Sequence, residues 1–355
     1  MSQLKHINTK LVFQMVNFWK KIKSNPLQKE KLLKKAAVLV AIREFFQKKG
    51  FIEMDTPTLV TSPDPSPFNE VLETKTLEGQ RLFFTPSPEF FLKKLLVARF
   101  KNIYQITKAY RDQQENDPLH LHEFTILEWY RDNASYLDLM KDCENLIQDI
   151  YQNLTEKVKN RKWRLDYQGK EIDLTPPWLR ISCKEAFEKF AKINLDEFLE
   201  IAKAREICLK KGYQITRENS WEELYHQIFL NEIEPELFKL PALILYDYPA
   251  PLAALSKIKK EDSRYAERFE FYLGGLEMGN GYSELTDPVE QEKRLKQDLE
   301  TRKSKGMKVF DYDHDFVDAL KDGLPKTAGI AVGIDRLVML FTDSGDIHEV
   351  APFAL

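Results

Sequence analysis

Two alternating runs, Asn102–Asp112 and Glu123–Arg131, flank a polar, turn-prone stretch, and they limit the fold more than anything else in the chain. Alternation with period two marks strands that bury one face, and two such runs joined by a polar loop make an antiparallel hairpin. Arg111 then lies where strand becomes loop, and Glu128 and Tyr130 share one face of the return strand. One hairpin offers a cation suited to phosphate and a carboxylate beside a phenol. A solvated hairpin with ordinary surface charges accounts for the same letters.

Glu270–Glu284, EFYLGGLEMGNGYSE, predicts a second hairpin around Gly274-Gly275. Pairing across that turn sets Tyr272 opposite Glu277, so Glu270, Tyr272 and Glu277 share a face. Two carboxylates on one face repel unless a cation sits between them. A hard ion such as Mg²⁺, held by one or two carboxylates and substrate phosphates, answers that, and a solvent-facing hairpin is the alternative. Strict alternation sends Asn280, Tyr282 and Glu284 to the other face. A bulge between Met278 and Gly281, eased by Gly279 and Gly281, brings all of them into one cleft. Gly329–Met339 carries a strand into a helix that begins near Ile334, with Arg336 in its first turn. A cation there opposes the helix dipole, which suits an anionic ligand docked at the helix start. A surface arginine paired with Asp335 or Asp343 is the alternative.

Around these segments, periodicity predicts helices over Leu32–Lys49, Glu89–Ala98, Tyr136–Leu154 and Glu290–Lys303, with Gly50 as a C-cap and Pro88 in a first turn. Pro241–Tyr248 reads as a buried strand and Phe51–Met54 as a short one. Residues 155–240 are rich in lysine and glutamate and predict a mainly helical insertion. Hairpins rather than crossover helices join the strands, which predicts an α+β fold built on an antiparallel sheet. No Gly-x-Gly-x-x-Gly follows a strand and no Walker loop is present.

Residues 1–29 hold lysines and no acidic residue, a basic arm in which Leu11–Ile22 could form a short amphipathic helix. The remainder, 30–355, reads as one domain carrying the insertion. A net charge of −3 gives no overall basic field for nucleic acid. Cys143, Cys183 and Cys208 are isolated, which suits packing in a reducing cytoplasm. No apolar run reaches membrane-spanning length.

Taken together, these segments resemble the core of class II aminoacyl-tRNA synthetases, in the lysyl-tRNA synthetase subgroup. Lys49–Pro57, KGFIEMDTP, resembles the first class motif, Arg111 through Glu123-Phe124-Thr125 the second, and Gly333-Ile334-Asp335-Arg336-Leu337 the third. With only about thirty residues ahead of Leu32, where the resemblance begins, no anticodon-binding barrel is expected. That points to a related family, the elongation factor P lysine ligases. Pro249–Glu267 and LEWYR at Leu127–Arg131 resemble that family, as do Ser87 and Ala331, which stand where synthetases carry alanine and glycine. Gln113 departs from the synthetases' glutamate, and His120-Leu121-His122-Glu123-Phe124 departs from their His-Asn-Pro-Glu-Phe.

The resemblance implies a class II synthetase-like antiparallel sheet flanked by helices, acting as a cytoplasmic homodimer on ATP and Mg²⁺. Arg111 and Arg336 would grip the ATP phosphates as the catalytic pair. His120 and Phe124 would lie at the nucleotide, with Glu270 and Glu277 on the metal. Ser87, Glu89, Glu128, Tyr130, Asn280, Tyr282, Glu284 and Ala331 would surround lysine or (R)-β-lysine. The implied acceptor is a lysine side chain of elongation factor P rather than tRNA. A truncated lysyl-tRNA synthetase and a catalytically inactive, amino-acid-sensing relative are the other readings.

Overall fold

Alternation divides the long strands into an apolar face and a charged one, and the fold follows from hiding only the first. A computed structural model describes residues 18–112, 117–155, 163–351 and 353. The expected arm 1–29 and the helix Leu11–Ile22 therefore lie partly outside the described residues, and Gln113 wholly so. In chain order the main elements are helices α1 (Phe18–Ser24) and α2 (Pro26–Lys48), then strands β1 (Ile52–Glu53), β2 (Leu59–Val60), β3 (Glu73–Lys75) and β4 (Arg81–Phe84). Next come α3 (Glu89–Val97), β5 (Ile103–Tyr110), β6 (Glu123–Asp132), α4 (Tyr136–Thr155), β7 (Arg164–Tyr167), β8 (Lys170–Asp173) and β9 (Leu179–Ser182). Helices α5 (Ile201–Lys210) and α6 (Trp221–Ile228) precede β10 (Ala242–Pro249), β11 (Tyr265–Leu273) and β12 (Leu276–Ser283). The chain closes with α7 (Pro288–Ser304), α8 (His314–Gly323), β13 (Thr327–Gly333) and α9 (Ile334–Phe341).

Eight strands form the main sheet in the order β1-β5-β6-β13-β12-β11-β10-β9. Every pair from β5 to β10 is antiparallel. Both edges differ from the expected all-antiparallel sheet, because β1 runs parallel to β5 and β9 parallel to β10. Each edge strand arrives by a long connection through helices, which permits parallel pairing where a tight hairpin forbids it. Beside this sheet lie a three-stranded sheet, β2-β4-β3, and the hairpin β7-β8, and none of the three closes into a barrel among the described residues.

One face of the central strands, carrying Leu127, Trp129, Phe269, Phe271, Ala328, Ile330 and Val332, packs with helices α2, α4 and α9 into the main core. Trp129 is fully buried there beside Phe46, with ring centroids 5.3 Å apart. Burying an aromatic or aliphatic side chain of that size contributes roughly 1.5–3 kcal/mol. The opposite face of the same strands carries the charged residues.

Local signals explain most element ends. Asn25 caps α2 by accepting from the amides of Leu27 and Gln28, and Pro26 fills the first position. The helix therefore starts six residues before the expected Leu32, because its first turns are polar and carry no periodic signal. Pro88 sits at the N-cap of α3 rather than inside its first turn, and Glu89 is the first helical residue. Gly274 and Gly275 adopt φ +60° and +84°, the positive pair that a tight hairpin turn requires. The stretch 164–182 forms three strands, not helix, and β9 joins the main sheet. All three cysteines are buried and free. Among the described residues, no helix is long and apolar enough to cross a membrane.

The proline-rich loop 62–69 is held over the charged face by Arg302 of α7, whose side chain is fully buried. Its guanidinium donates to the carbonyls of Ser66 (2.9 Å), Asn69 (2.7 Å) and Lys308 (2.9 Å) and to Glu70 Oε1 (2.7 Å). It also lies 4.9 Å from the Phe310 ring centroid. Arg302→Ala removes the donor to a partly buried carboxylate and three carbonyls and is expected to cost about 2–4 kcal/mol. Urea denaturation of variant and wild type measures this, and a loss below about 1 kcal/mol would contradict the clamp.

Candidate active site

The charged face opens into a cleft of about 900 Å³. Alternation alone does not build it. On β12, Tyr272 pairs with Glu277 but Phe271 pairs with Gly279, so Met278 is an extra residue, a β-bulge. The bulge sits at the start of the expected Met278–Gly281 interval. It resets the parity, so Asn280, opposite Glu270, and Tyr282, opposite Arg268, join Glu277 on the cleft face. Glu284 follows just past the strand end.

All the residues singled out from the sequence border this cleft. Arg111 and His120 come from the β5–β6 connection, Phe124, Glu128 and Tyr130 from β6, and Ser87 and Glu89 from the start of α3. Glu270, Glu277, Asn280, Tyr282 and Glu284 come from β11, β12 and the residue after it, Ala331 from β13, and Arg336 from the first turn of α9. Gly329 of β13 permits their approach. A Cβ there would fall 2.3 Å from the Tyr130 ring and 2.4 Å from the Glu284 carboxylate.

One end of the cleft is basic. Arg336 donates to the carbonyls of Leu119 (3.2 Å) and Glu277 (3.0 Å), and its Nη2 lies 2.6 Å from His120 Nε2. An arginine can only donate, so Nε2 accepts and Nδ1 carries the proton that meets Asp117 at 2.8 Å. Burial and Arg336 lower the His120 pKa, which agrees with that neutral tautomer. Asp335 is not the partner of Arg336. It is buried, accepts from the Thr125 amide at 2.6 Å and pairs with Lys35 at 2.5 Å. Asp343 instead accepts from Gln168. Arg111 lies with its guanidinium carbon 5.2 Å from the Phe124 ring centroid, and its buried Nε has no hydrogen-bond partner. Burial lowers its pKa. Leaving a charged donor unpaired is costly, and an anion would relieve it.

The other end is acidic and drier. Glu128 is 1% exposed and accepts from Ser87 Oγ (2.5 Å) and Tyr130 OH (3.2 Å). Burial first, then Glu89, push its carboxyl up to about 8. Burial likewise pushes Glu284 up to about 7, against the pull of Lys93. A cationic group entering this end would restore the charged carboxylates.

Two residues that the motifs did not single out organise the walls. Lys93, fully buried, lies 2.5 Å from Glu89 and 2.6 Å from Glu284. Arg268 donates to Glu270 (2.9 Å), to Asn280 (3.2 Å) and to the Leu252 carbonyl (2.6 Å), and stacks 4.3 Å from the Tyr248 ring centroid. Both had a signal in the sequence. Lys93 is four residues from Glu89 on a helix, and Arg268 is two residues from Glu270 on a strand, the spacings that share a face.

Glu270 also accepts from Asn280 (3.1 Å) and Tyr272 OH (2.5 Å), so Arg268 is already its cation. Glu277 is the freer carboxylate, 42% exposed, with Arg336 4.0 Å away. Desolvation by the cleft walls and then Glu270 push its pKa upward. Among the described residues, no group of three or more His, Cys, Asp or Glu side chains could hold a metal alone. Two crowded carboxylates next to a basic end do fit a divalent ion that takes its remaining ligands from substrate.

Residues 13–355 match the model of the family described as tRNA synthetases class II (D, K and N). The chain is 33% identical over 333 residues to a lysine–tRNA ligase of Pelotomaculum thermopropionicum, covering 93% of this chain and 64% of that relative. A lysine–tRNA ligase of Clostridium perfringens is also 33% identical over 333 residues, with 93% and 65% covered. One of Coxiella burnetii is 34% identical over 322 residues, with 90% and 63% covered. The chain thus spans a little under two thirds of the length of these relatives.

A carboxyl whose pKa is raised on folding holds its proton better folded than unfolded, so stability falls as pH rises from its ordinary value to the raised one. For Glu128 that window runs from 4.5 to about 8. The unliganded protein should therefore melt at lower temperature at pH 8 than at pH 5. Glu128→Gln should flatten that slope and raise Tm at pH 8 by roughly 2–4 °C or more. Thermal melts across pH check both, and an unchanged slope in the variant would refute the assignment.

Proposed function

The chain belongs to the class II tRNA synthetases (D, K and N), and from that membership we propose that it is an ATP-dependent, AMP-forming ligase for lysine or (R)-β-lysine. The observation that carries this reading is one cleft with a basic end, Arg111 and Arg336, and a buried carboxylate end, Glu128 and Glu284. Such a cleft suits a polyphosphate and an amine-bearing amino acid held side by side. In the first step the substrate carboxylate attacks the α-phosphate, a new P–O bond forms, and the bond to pyrophosphate breaks. Arg111 neutralises charge growing on the α-phosphate, and Arg336, fixed by His120 and two carbonyls, holds the departing pyrophosphate. Phe124 supplies the face under Arg111. Glu277, with Glu270 behind it, would hold Mg²⁺, which when bound offsets phosphate charge. Asn280, Tyr282 and Ala331 shape the amino-acid side of the cleft.

The proposed second step is attack by a lysine ε-amine of elongation factor P on the adenylate carbonyl. The amide C–N bond forms as the C–O bond to AMP breaks, and the ammonium proton leaves to solvent. Ser87, Ala331 and the segment Pro249–Glu267 support this acceptor through their resemblance to that ligase family. Ser87 also has a direct role, since its hydroxyl donates to Glu128. Transfer to tRNA is the second reading, favoured by the names of the matched relatives. A homodimer through Phe51–Pro57 belongs to the same proposal, and Ile52 there is half exposed.

Arg111→Ala should cut lysine-dependent ATP–pyrophosphate exchange by about 10²-fold or more. Wild-type exchange in that variant would remove Arg111 from the chemistry. Incubation with ATP and labelled lysine or β-lysine, offering either elongation factor P or tRNA, identifies the acceptor. Label on elongation factor P is expected, and label on tRNA alone would replace the proposed acceptor.

A further inference from the structure

We propose that Lys93 is a positioning residue that sets the charge of the amine pocket, so that the pocket accepts a substrate bearing two ammonium groups. The inference rests on the lysine-activating reading of the cleft and adds to it a residue that touches no substrate. Lys93 lies on α3, one turn after Glu89, and has no exposed surface. Its ammonium lies 2.5 Å from Glu89 Oε1 and 2.6 Å from Glu284 Oε2, linking the helix to the end of β12.

The arithmetic of charge gives the ammonium its meaning. Glu89, Glu128 and Glu284 line one end of the cleft, and each adds a negative charge when ionised. Lys93 cancels one of them, which leaves two. The other charged groups acting on this end, Asp64 from the proline-rich loop with Arg111, and Glu270 with Arg268, oppose each other in sign pair by pair. Tyr130 and Tyr282 are neutral phenols, both pushed upward chiefly by burial. A pocket that reaches two negative charges once its carboxylates ionise matches the two ammonium groups of a diamino acid, whose carboxylate is left for the arginine end. Without Lys93 three carboxylates would crowd a dry site, and they would hold their protons more tightly than they already do, protons that an incoming amine must displace. Burial already raises Glu284 with Lys93 present, so loss of the ammonium raises it further.

The test is a double-mutant cycle read in lysine-dependent ATP–pyrophosphate exchange across pH 6–9. Lys93→Met is expected to raise the lysine KM about tenfold or more, leave the ATP KM within about twofold, and move the acid limb of kcat/KM up by about one pH unit. Lys93→Arg should restore the position of that limb. The sign reverses in a Glu89→Gln background. There the pocket keeps one net negative charge with Lys93 and two without it. Adding Lys93→Met to Glu89→Gln should therefore lower the lysine KM.

A role in packing alone predicts an unmoved acid limb and a further loss in the double variant, and either result overturns the proposal. Should Lys93→Met alone fail to fold, Glu89→Gln with and without Lys93→Met still decides it, because the double variant removes Lys93 together with one of its two carboxylates and leaves only Glu284 without its cation. If the wild type shows no exchange with lysine or β-lysine, the proposed activity fails instead. Calorimetric titration of the same proteins with lysine then reads the same expected ordering of affinities.

Discussion

The cleft depends on one extra residue. With Met278 absorbed as a bulge, Glu277, Asn280 and Tyr282 face the same side as Glu270 and Tyr272. Without it, a strand of period two would turn Asn280 and Tyr282 into the hydrophobic core and bring core side chains into the cleft. The core cannot accept that exchange, since Phe269 and Phe271 already fill it from the neighbouring strand. The bulge therefore costs the sheet one regular pairing and gives it a continuous polar face. Glycines at 279 and 281 follow from the same packing. A Cβ at either would fall 2.5 Å from a neighbour, the Ala331 carbonyl in one case and the Phe269 ring in the other.

Once the polar face exists, it must carry charge in a poorly hydrated place. The protein meets this with cations of its own. Arg268 answers Glu270, Lys93 answers Glu89 and Glu284, and Lys35 answers Asp335 behind the helix that carries Arg336. What these pairs leave uncovered is informative. Arg111 retains an unpartnered Nε, and Glu128 has only hydroxyl donors. A buried pair adds little net stability. A group left unpaired inside such a network marks where a ligand would complete the set.

Much of this was legible in the letters, and the reasons are local. Parity placed Glu128 beside Tyr130 and Tyr272 opposite Glu277, and the Gly274-Gly275 turn fixed that register. Proline and glycine marked element ends. The parallel edges were not legible, because β1 is two residues long and both are exposed, too little to carry a pattern that names a partner. The strands of 164–182 were hidden by charged letters such as Arg164, Asp166, Lys170 and Glu171, which read as solvated helix. In the structure Arg164 lies within 3.0 Å of Glu171 and within 3.6 Å of Asp173 across the β7-β8 hairpin. The alternative reading of Arg336, as a surface arginine paired with an aspartate, fails for a related reason. Asp335 is adjacent in sequence, but successive helical residues point about 100° apart, so it turns to Lys35 and Thr125.

The same geometry explains why the basic and acidic ends do not neutralise each other. Arg336 is tied to the carbonyls of Leu119 and Glu277 and to His120, a neutral set that orients the guanidinium without consuming its charge. His120 can play that part only while unprotonated, and burial together with the cation beside it favours that form. At the acidic end, Ser87 and Tyr130 do the equivalent for Glu128, orienting the carboxylate through hydroxyls. Each end thus has one ionisable group whose direction is fixed by neutral hydrogen-bond partners. Preorganised charge of this kind needs little rearrangement when a ligand of opposite sign arrives, which is what a site of electrostatic catalysis requires.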